Sequence, residues 1–257
     1  MALPISPYTL QHPAPACQPA EPIFAIGDVH GHARHLEVIL GHATTLLASG
    51  RVGRVAFLGD LIDRGPDSAS CLRLAAEFRD RYPEQVDILA GNHESLMLCS
   101  YFHADPQERA FAAFTWNHNG GDLGRWSETK DLLTELRLGP ETWKSHTLNG
   151  NVLLVHAGVC PEASDAEVQT FLSQSVLQLP DGTGTSFPHW AWIRNGFLKH
   201  HTPWPGHFVV HGHSPWDFIR KPQNGRLNLD AGSYENGRVG TAILERGKVE
   251  VSIFGFW

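Results

Sequence analysis

Three short apolar runs set the rhythm of the first third of this chain: Ile23-Phe24-Ala25-Ile26, Val55-Ala56-Phe57-Leu58 and Val86-Asp87-Ile88-Leu89-Ala90. Each is too short for a helix and reads as a buried strand, and each is followed by a stretch with helical periodicity. Just beyond the runs stand Asp28, Asp60 and Asn92, spaced 32 residues apart, the length of a βα repeat. Two further runs, Val152-Leu153-Leu154-Val155 and Phe208-Val209-Val210, lead into His156 and His211. Ligands of open α/β sheets bind beyond the carboxyl ends of the strands, so five strand ends are expected to present polar residues at one rim.

The pattern changes along the chain. Residues 95 to 145 look mainly helical, with a break at Asn119-Gly120-Gly121, and read as a helical insertion between strands. The aromatic residues nearby, Phe111, Phe114, Trp116 and Trp126, are expected in its core. His146-Thr147-Leu148-Asn149-Gly150-Asn151-Val152 reads as a hairpin with a type I′ turn at Asn149-Gly150. The C-terminal part offers strands at Phe218-Ile219-Arg220, Arg226 to Asp230, Val239 to Glu245 and Lys248 to Phe254, separated by Asn224-Gly225 and Arg246-Gly247. A first half of βα units followed by antiparallel hairpins predicts an α/β fold of two packed mixed β-sheets flanked by helices. The first 22 residues carry six prolines, which forbid a regular helix and predict an extended surface arm or a disordered one. Residues 23–257 are expected to form one catalytic domain.

Composition narrows the classes. A net charge of −7, with no basic run, gives no footprint for nucleic acid. The opening lacks the pattern of a secretory signal, and eighteen apolar residues nowhere run together, so a cytoplasmic protein without a membrane partner is expected. Cys17, Cys71, Cys99 and Cys160 form no CxxC pair, as befits a reducing compartment. Cys160 lies close behind His156-Ala157-Gly158, where a structural role outweighs a redox one. Of sixteen histidines, nine have no motif context and are read as surface or core residues.

The chemistry resides in five blocks: Gly27-Asp28-Val29-His30-Gly31, Gly59-Asp60-Leu61-Ile62-Asp63-Arg64-Gly65, Gly91-Asn92-His93-Glu94, His156-Ala157-Gly158 and His211-Gly212-His213. They supply carboxylate, amide and imidazole donors suited to hard or borderline divalent cations. One cation is expected on Asp28, His30 and Asp60, and a second on Asp60, Asn92, His156 and His211, with the Asp60 carboxylate bridging. Such sharing keeps cations about 3.5–4 Å apart, and a hydroxide between them is the expected nucleophile.

These blocks resemble the calcineurin-like metallophosphoesterases, and within them the phosphoprotein phosphatase family with its bacterial and bacteriophage relatives, over roughly residues 23 to 245. The resemblance implies a β-sandwich flanked by helices and two divalent metal ions, Mn²⁺ with Fe or Zn²⁺ as alternatives. It also implies roles that spacing does not give: His93 as general acid, Asp63 as the carboxylate orienting it, and Arg64 and Arg194 as phosphate clamps. Arg194 lies in Trp192-Ile193-Arg194-Asn195-Gly196-Phe197-Leu198, which is similar to a segment of bacterial members. Glu94 is open to two readings, a hydrogen-bond acceptor behind the ligands or a helix opener. His213 either faces the site or braces its loop. Tyr234 is given no role.

The resemblance implies a Ser/Thr protein phosphatase acting on a phosphorylated protein or peptide. The alternative is symmetrical diadenosine tetraphosphate hydrolysis, or action on another small phosphoester, on the same scaffold. Asp63-Arg64-Gly65 and Glu94 are the protein-phosphatase forms of their blocks. A non-catalytic module of the same fold would be expected to lose ligands, and none is missing.

Overall fold

The computed structural model describes residues 5–121, 129–180, 189–201, 204–216 and 221–256. In chain order the strands are β1 (Ile5–Ala14), β2 (Ile23–Ile26), β3 (Arg54–Phe57), β4 (Val86–Ile88), β5 (His146–Asn149), β6 (Val152–Val155), β7 (Phe208–His211), β8 (Arg226–Asn228), β9 (Val239–Glu245) and β10 (Gly247–Phe256). Between them lie the helices α1 (Ala33–Ala48), α2 (Ser68–Arg81), α3 (Asn92–Phe102), α4 (Pro106–His118), α5 (Thr129–Glu135), α6 (Asp165–Leu172), α7 (Asn195–Lys199) and α8 (Ser233–Asn236). A six-stranded sheet runs β1-β10-β9-β2-β3-β4 and a four-stranded sheet β5-β6-β7-β8. Both are mixed: β2, β3 and β4 are parallel in one, β6, β7 and β8 in the other, and the remaining pairs are antiparallel.

Strand parity explains the layers. Ile23 and Ala25 of β2 share a buried cluster with Val152 and Leu154 of β6 and Phe208 and Val210 of β7, and this is the seam between the sheets. Phe24 and Ile26 point the other way, into a second cluster with Leu36, Ile39 and Leu72 of α1 and α2. Every β2 residue is buried, as expected of a parallel strand covered on both faces. Asp67 caps α2, accepting from the Ser70 N–H at 2.9 Å, and Asp105 caps α4 with Pro106 in its first turn.

The expected helical insertion is α3, α4 and α5, and α4 ends at His118, just before Asn119-Gly120-Gly121. Trp116 is buried, whereas Phe111 and Phe114 are 44% and 63% exposed, so only part of that aromatic group is core. Trp126 and the expected strand at residues 218–220 lie outside the described residues. Two local expectations sharpen. Of the two readings of the Pro-rich opening, the extended one holds over residues 5–14, which form β1 and pair with β10 along the strand's whole length. Pro7 and Pro13 are six residues apart, so both missing N–H groups can turn toward the open sheet edge. The hairpin joining β5 and β6 pairs Asn149 with Val152, so its loop residues are Gly150 and Asn151. Only Gly150 has positive φ, at 61°, which puts glycine at the first central position as type II′ requires. The Asn224-Gly225 turn does have both φ values positive, 52° and 70°.

Candidate active site

The carboxyl ends of the parallel strands of both sheets meet over one cavity. Asp28 follows β2, Asp60 follows β3, Asn92 opens α3 after β4, His156 follows β6, and His213 lies two residues past β7. Asp60 is central: Oδ2 lies 3.4 Å from His30 Nε2, and Oδ1 3.5 Å from His156 Nε2. Ligand atoms of His30, Asp60 and His93 lie within 4.8 Å of one another, as do those of Asp60, His156 and His213. Asn92 Oδ1 lies 3.1 Å from His156 Nε2 and 2.9 Å from His213 Nδ1.

This arrangement fits a cation for a specific reason. His30 Nδ1 faces the Ile62 carbonyl at 2.9 Å and His156 Nδ1 the Leu58 carbonyl at 2.9 Å. Each ring, when neutral, donates there, and its bare Nε2 then points at oxygen acceptors, Asp60 for His30, and Asn92 and Asp60 for His156. Lone pairs facing lone pairs in a buried place are satisfied by a divalent ion, with carbonyls orienting the ligand rings from behind.

The charges agree. Burial pushes His30 down to about 3, and burial also lowers His156 and His213, so all three imidazoles are neutral at neutral pH. Burial raises Asp28 well above the carboxylate range, and Asp230 and then Asp60 raise it further. Burial alone would raise Asp60 too, but the imidazoles of His156, His93, His30 and His213 hold it below the ordinary range. Glu94 rises to about 7 through burial and the neighbouring Asp60. Its two oxygens accept N–H bonds from Asp60 (2.7 Å), Gly91 (2.8 Å), Leu61 (2.9 Å) and Ile62 (3.3 Å), tying two ligand loops together.

His93 behaves differently. Its burial would lower its pKa, yet Asp60 and the bonded Asp63 outweigh that and raise it. His93 Nδ1 lies 2.6 Å from Asp63 Oδ2, which also accepts from Trp116 Nε1 at 2.5 Å. His93 Nε2 is buried and has no hydrogen-bond partner among the described residues. A cavity of about 270 Å³ is lined by Asp28, His30, Asp60 and Asn92 and by the arginines Arg64 and Arg194. Arg64 lies 4.6 Å over the Tyr234 ring and donates from Nε to the Asn119 carbonyl at 3.2 Å. Arg194 Nε donates to His213 Nε2 at 3.0 Å. His30, Asp60, Asp63, Arg64 and His213 all have left-handed φ, between 45° and 69°, and such strain in non-glycine residues collects at functional sites.

Residues 21–255 match the calcineurin-like phosphoesterase family. The chain belongs to that family. Among curated relatives, a serine/threonine-protein phosphatase, PP2A-like PPG1 of Candida albicans, is 29% identical over 146 residues, 57% of this chain and 31% of that one. The chain spans less than half the length of the curated relatives it matches, 31% to 43%. Among solved structures, a protein serine/threonine phosphatase of Saccharomyces cerevisiae with similarity to human PP5 superposes with a TM-score of 0.58 at 16% identity, covering 93% of this chain and 84% of that one. A protein described as a diadenosine tetraphosphatase gives a TM-score of 0.52 at 22% identity, covering 93% and 95%. These likenesses establish the calcineurin-like phosphoesterase fold for the two mixed sheets.

Within this phosphoesterase, the structure brings together Asp28, His30, Asp60, Asn92, His156, His93, Asp63, Arg64 and Arg194. It does not bring His211 to them. His211 ends β7 on the same side as Val209, away from the inter-sheet seam, with its ring 4.9 Å from Phe197 and its Nδ1 3.0 Å from the Gly212 carbonyl. Its neighbour His213 takes the place foreseen for it. The period-2 alternation of the strand carried that information: Phe208 and Val210 face the seam, so His211 faces away. Tyr234 and Asp230 also line the cavity without having been assigned there. Trp116 was expected only as core, and no sequence signal ties its indole to Asp63.

Proposed function

We propose that this chain is a divalent-metal-dependent phosphomonoesterase that removes phosphate from phosphoserine and phosphothreonine in proteins. One cation would be held by Asp28, His30 and Asp60, the other by Asp60, Asn92, His156 and His213, with Mn²⁺ the first choice and Fe or Zn²⁺ compatible with the donors. When bound, the pair supplies Lewis acidity and lowers the pKa of water toward neutrality for in-line attack on phosphorus.

The remaining work falls to the chain. Arg64 and Arg194 clamp the phosphoryl oxygens, for which planar charged forks are suited. A cation on His213 Nδ1 would leave that ring's proton on Nε2, which would release Arg194 to the substrate. His93 gives a proton from Nε2 to the leaving oxygen, while Asp63 holds Nδ1 and stabilises the charged imidazole. The observation that carries this reading is His93: raised where its neighbouring imidazoles are lowered, bonded to Asp63 at 2.6 Å, with no partner for Nε2 among the described residues. An alkoxide leaving group such as serine needs that proton most.

A cavity of about 750 Å³ lies beside the first along α2 and α5 and shares Arg64 with it, leaving room for a polypeptide. The four free cysteines support a cytoplasmic location. Dinucleotide hydrolysis is the second reading, favoured by the likeness of fold that spans nearly the whole of both chains. The test is a side-by-side rate comparison of phosphoserine, phosphothreonine and phosphotyrosine peptides with diadenosine tetraphosphate in one Mn²⁺ buffer. The phosphoserine and phosphothreonine peptides should turn over fastest. A faster rate on the dinucleotide would favour the second reading, and no turnover of any of them would point to a non-catalytic module.

A further inference from the structure

Asp230 is the acidic residue at the cavity that none of the roles above uses. It is 4% exposed, lines the same cavity as Asp28 and Asp60, and lies two residues past β8 at the carboxyl end of the second sheet. Its position is built by backbone crossing. Between the sheets, the Leu229 carbonyl lies so close to Gly27 and Gly240 that a Cβ on either would stand 2.4 or 2.2 Å from the Leu229 oxygen. Glycine at both places lets the Leu229-Asp230 segment lie directly against Gly27-Asp28. Asp230 N–H is held by Asn228 Oδ1 at 2.9 Å, and Asp230 Oδ1 accepts from the Gly232 N–H at 2.9 Å, which fixes the side chain while leaving its other oxygen.

Three carboxylates, Asp28, Asp60 and Asp230, therefore face one small buried cavity against two arginines. Packing like charges together in a low-dielectric place is unfavourable unless a cation joins them.

We propose that Asp230 is a positioning residue that helps retain the cation on the Asp28 side of the centre, acting behind the ligands Asp28, His30 and Asp60. The role rests on the two-cation reading above. Asp230 would contribute negative charge and a hydrogen-bond acceptor beside the residues that would hold that cation.

The substitution Asp230→Asn tests this, because asparagine can still accept the Gly232 N–H and keep the loop. Chelator-stripped wild type and variant are titrated with Mn²⁺, free ion being read by its paramagnetic resonance signal, and both are melted with and without Mn²⁺. Wild type should bind two ions, and the variant should hold one of them about 10–100-fold more weakly. The metal-free variant should melt no lower than metal-free wild type, since a repelling charge has gone, while its gain on adding Mn²⁺ should be smaller. An unchanged Mn²⁺ isotherm would overturn the proposal. So would an equal fall in melting temperature with and without Mn²⁺, which is the mark of a purely structural residue. A wild type that takes up no Mn²⁺ would overturn the two-cation reading itself, and the proposal with it.

Discussion

The two sides of the cavity treat histidine in opposite ways. On the cradle side, His30, His156 and His213 are buried, lowered and neutral. Their backbone and amide partners leave ring nitrogens converging on Asp60 and Asn92. On the acid side, His93 is equally buried but raised, because Asp60 and Asp63 stabilise its proton. The same side chain at the same depth thus becomes a lone-pair donor or a proton donor according to which group stands behind it, carbonyl or carboxylate. Burial sets the penalty; the partner decides which protonation state escapes it.

The strongest way to break this contrast is to remove what both sides share. Asp60→Asn should eliminate measurable turnover and weaken both Mn²⁺ sites, and metal analysis of the dialysed variant checks it. His93→Asn should keep both ions yet slow the reaction by about 10²–10⁴-fold, more for alkyl than for aryl phosphates. An equal loss for good and poor leaving groups would put His93 outside proton transfer. On the proposed reading protonated His93 is the active form, and its pKa is raised, so the alkyl-phosphate rate of the wild type should fall as pH rises above His93's ordinary range.

A finer comparison lies within His211-Gly212-His213. His213→Ala should weaken one Mn²⁺ site by about 10-fold or more, whereas His211→Asn should leave both filled and show its cost in melting temperature, through lost packing on Phe197. Titration of the two variants in parallel distinguishes them. The smallest effect expected is on the metal-free protein. Burial raises Glu94 and Asp230 to about 7 each, so between about pH 4 and 7 the folded state holds protons that the unfolded chain has released. These two groups alone would make stability fall as pH rises through that window. His30, His156 and His213, neutral when folded and protonated in the unfolded chain below about pH 6.5, act the other way, so stability should rise to about pH 6.5 and fall above it. Mn²⁺ should flatten the dependence, which a series of thermal melts at pH 5 to 8 would reveal.

How much of this was legible in the sequence differs between the two rims. Along β2, β3 and β4, short apolar runs and 32-residue spacing led directly to Asp28, Asp60 and Asn92, because each parallel strand repeats one structural unit. The second rim follows no such repeat. His156 comes one residue after its strand, whereas His213 and Asp230 come two residues after theirs. His211 looked the better ligand because it directly follows the apolar run, yet as the last residue of β7 its side chain follows the pleat away from the site. The assignments of His93, Asp63, Arg64 and Arg194 came by resemblance, since no local pattern predicts that Asp63 reaches a histidine 30 residues on. Asp230 was not legible because its placement depends on the Leu229 backbone passing between Gly27 and Gly240, a contact between segments more than 200 residues apart in one case. The proline-rich opening reads only as extended or disordered for a similar reason: β10, the partner of β1 that decides between them, lies more than 200 residues further on.

That last pairing has a consequence for how the protein is made. β9 joins β2 directly, the Gly27 N–H bonds to the Gly240 carbonyl at 2.9 Å, and β1 waits for β10. During synthesis the first strands leave the ribosome long before the segments that complete their sheet. Loop closure across such a separation is slow. The early carboxylates must therefore stay out of the wrong contacts until residues near 240 emerge, so a nascent chain halted before then would carry every predicted ligand yet have no finished rim to hold them.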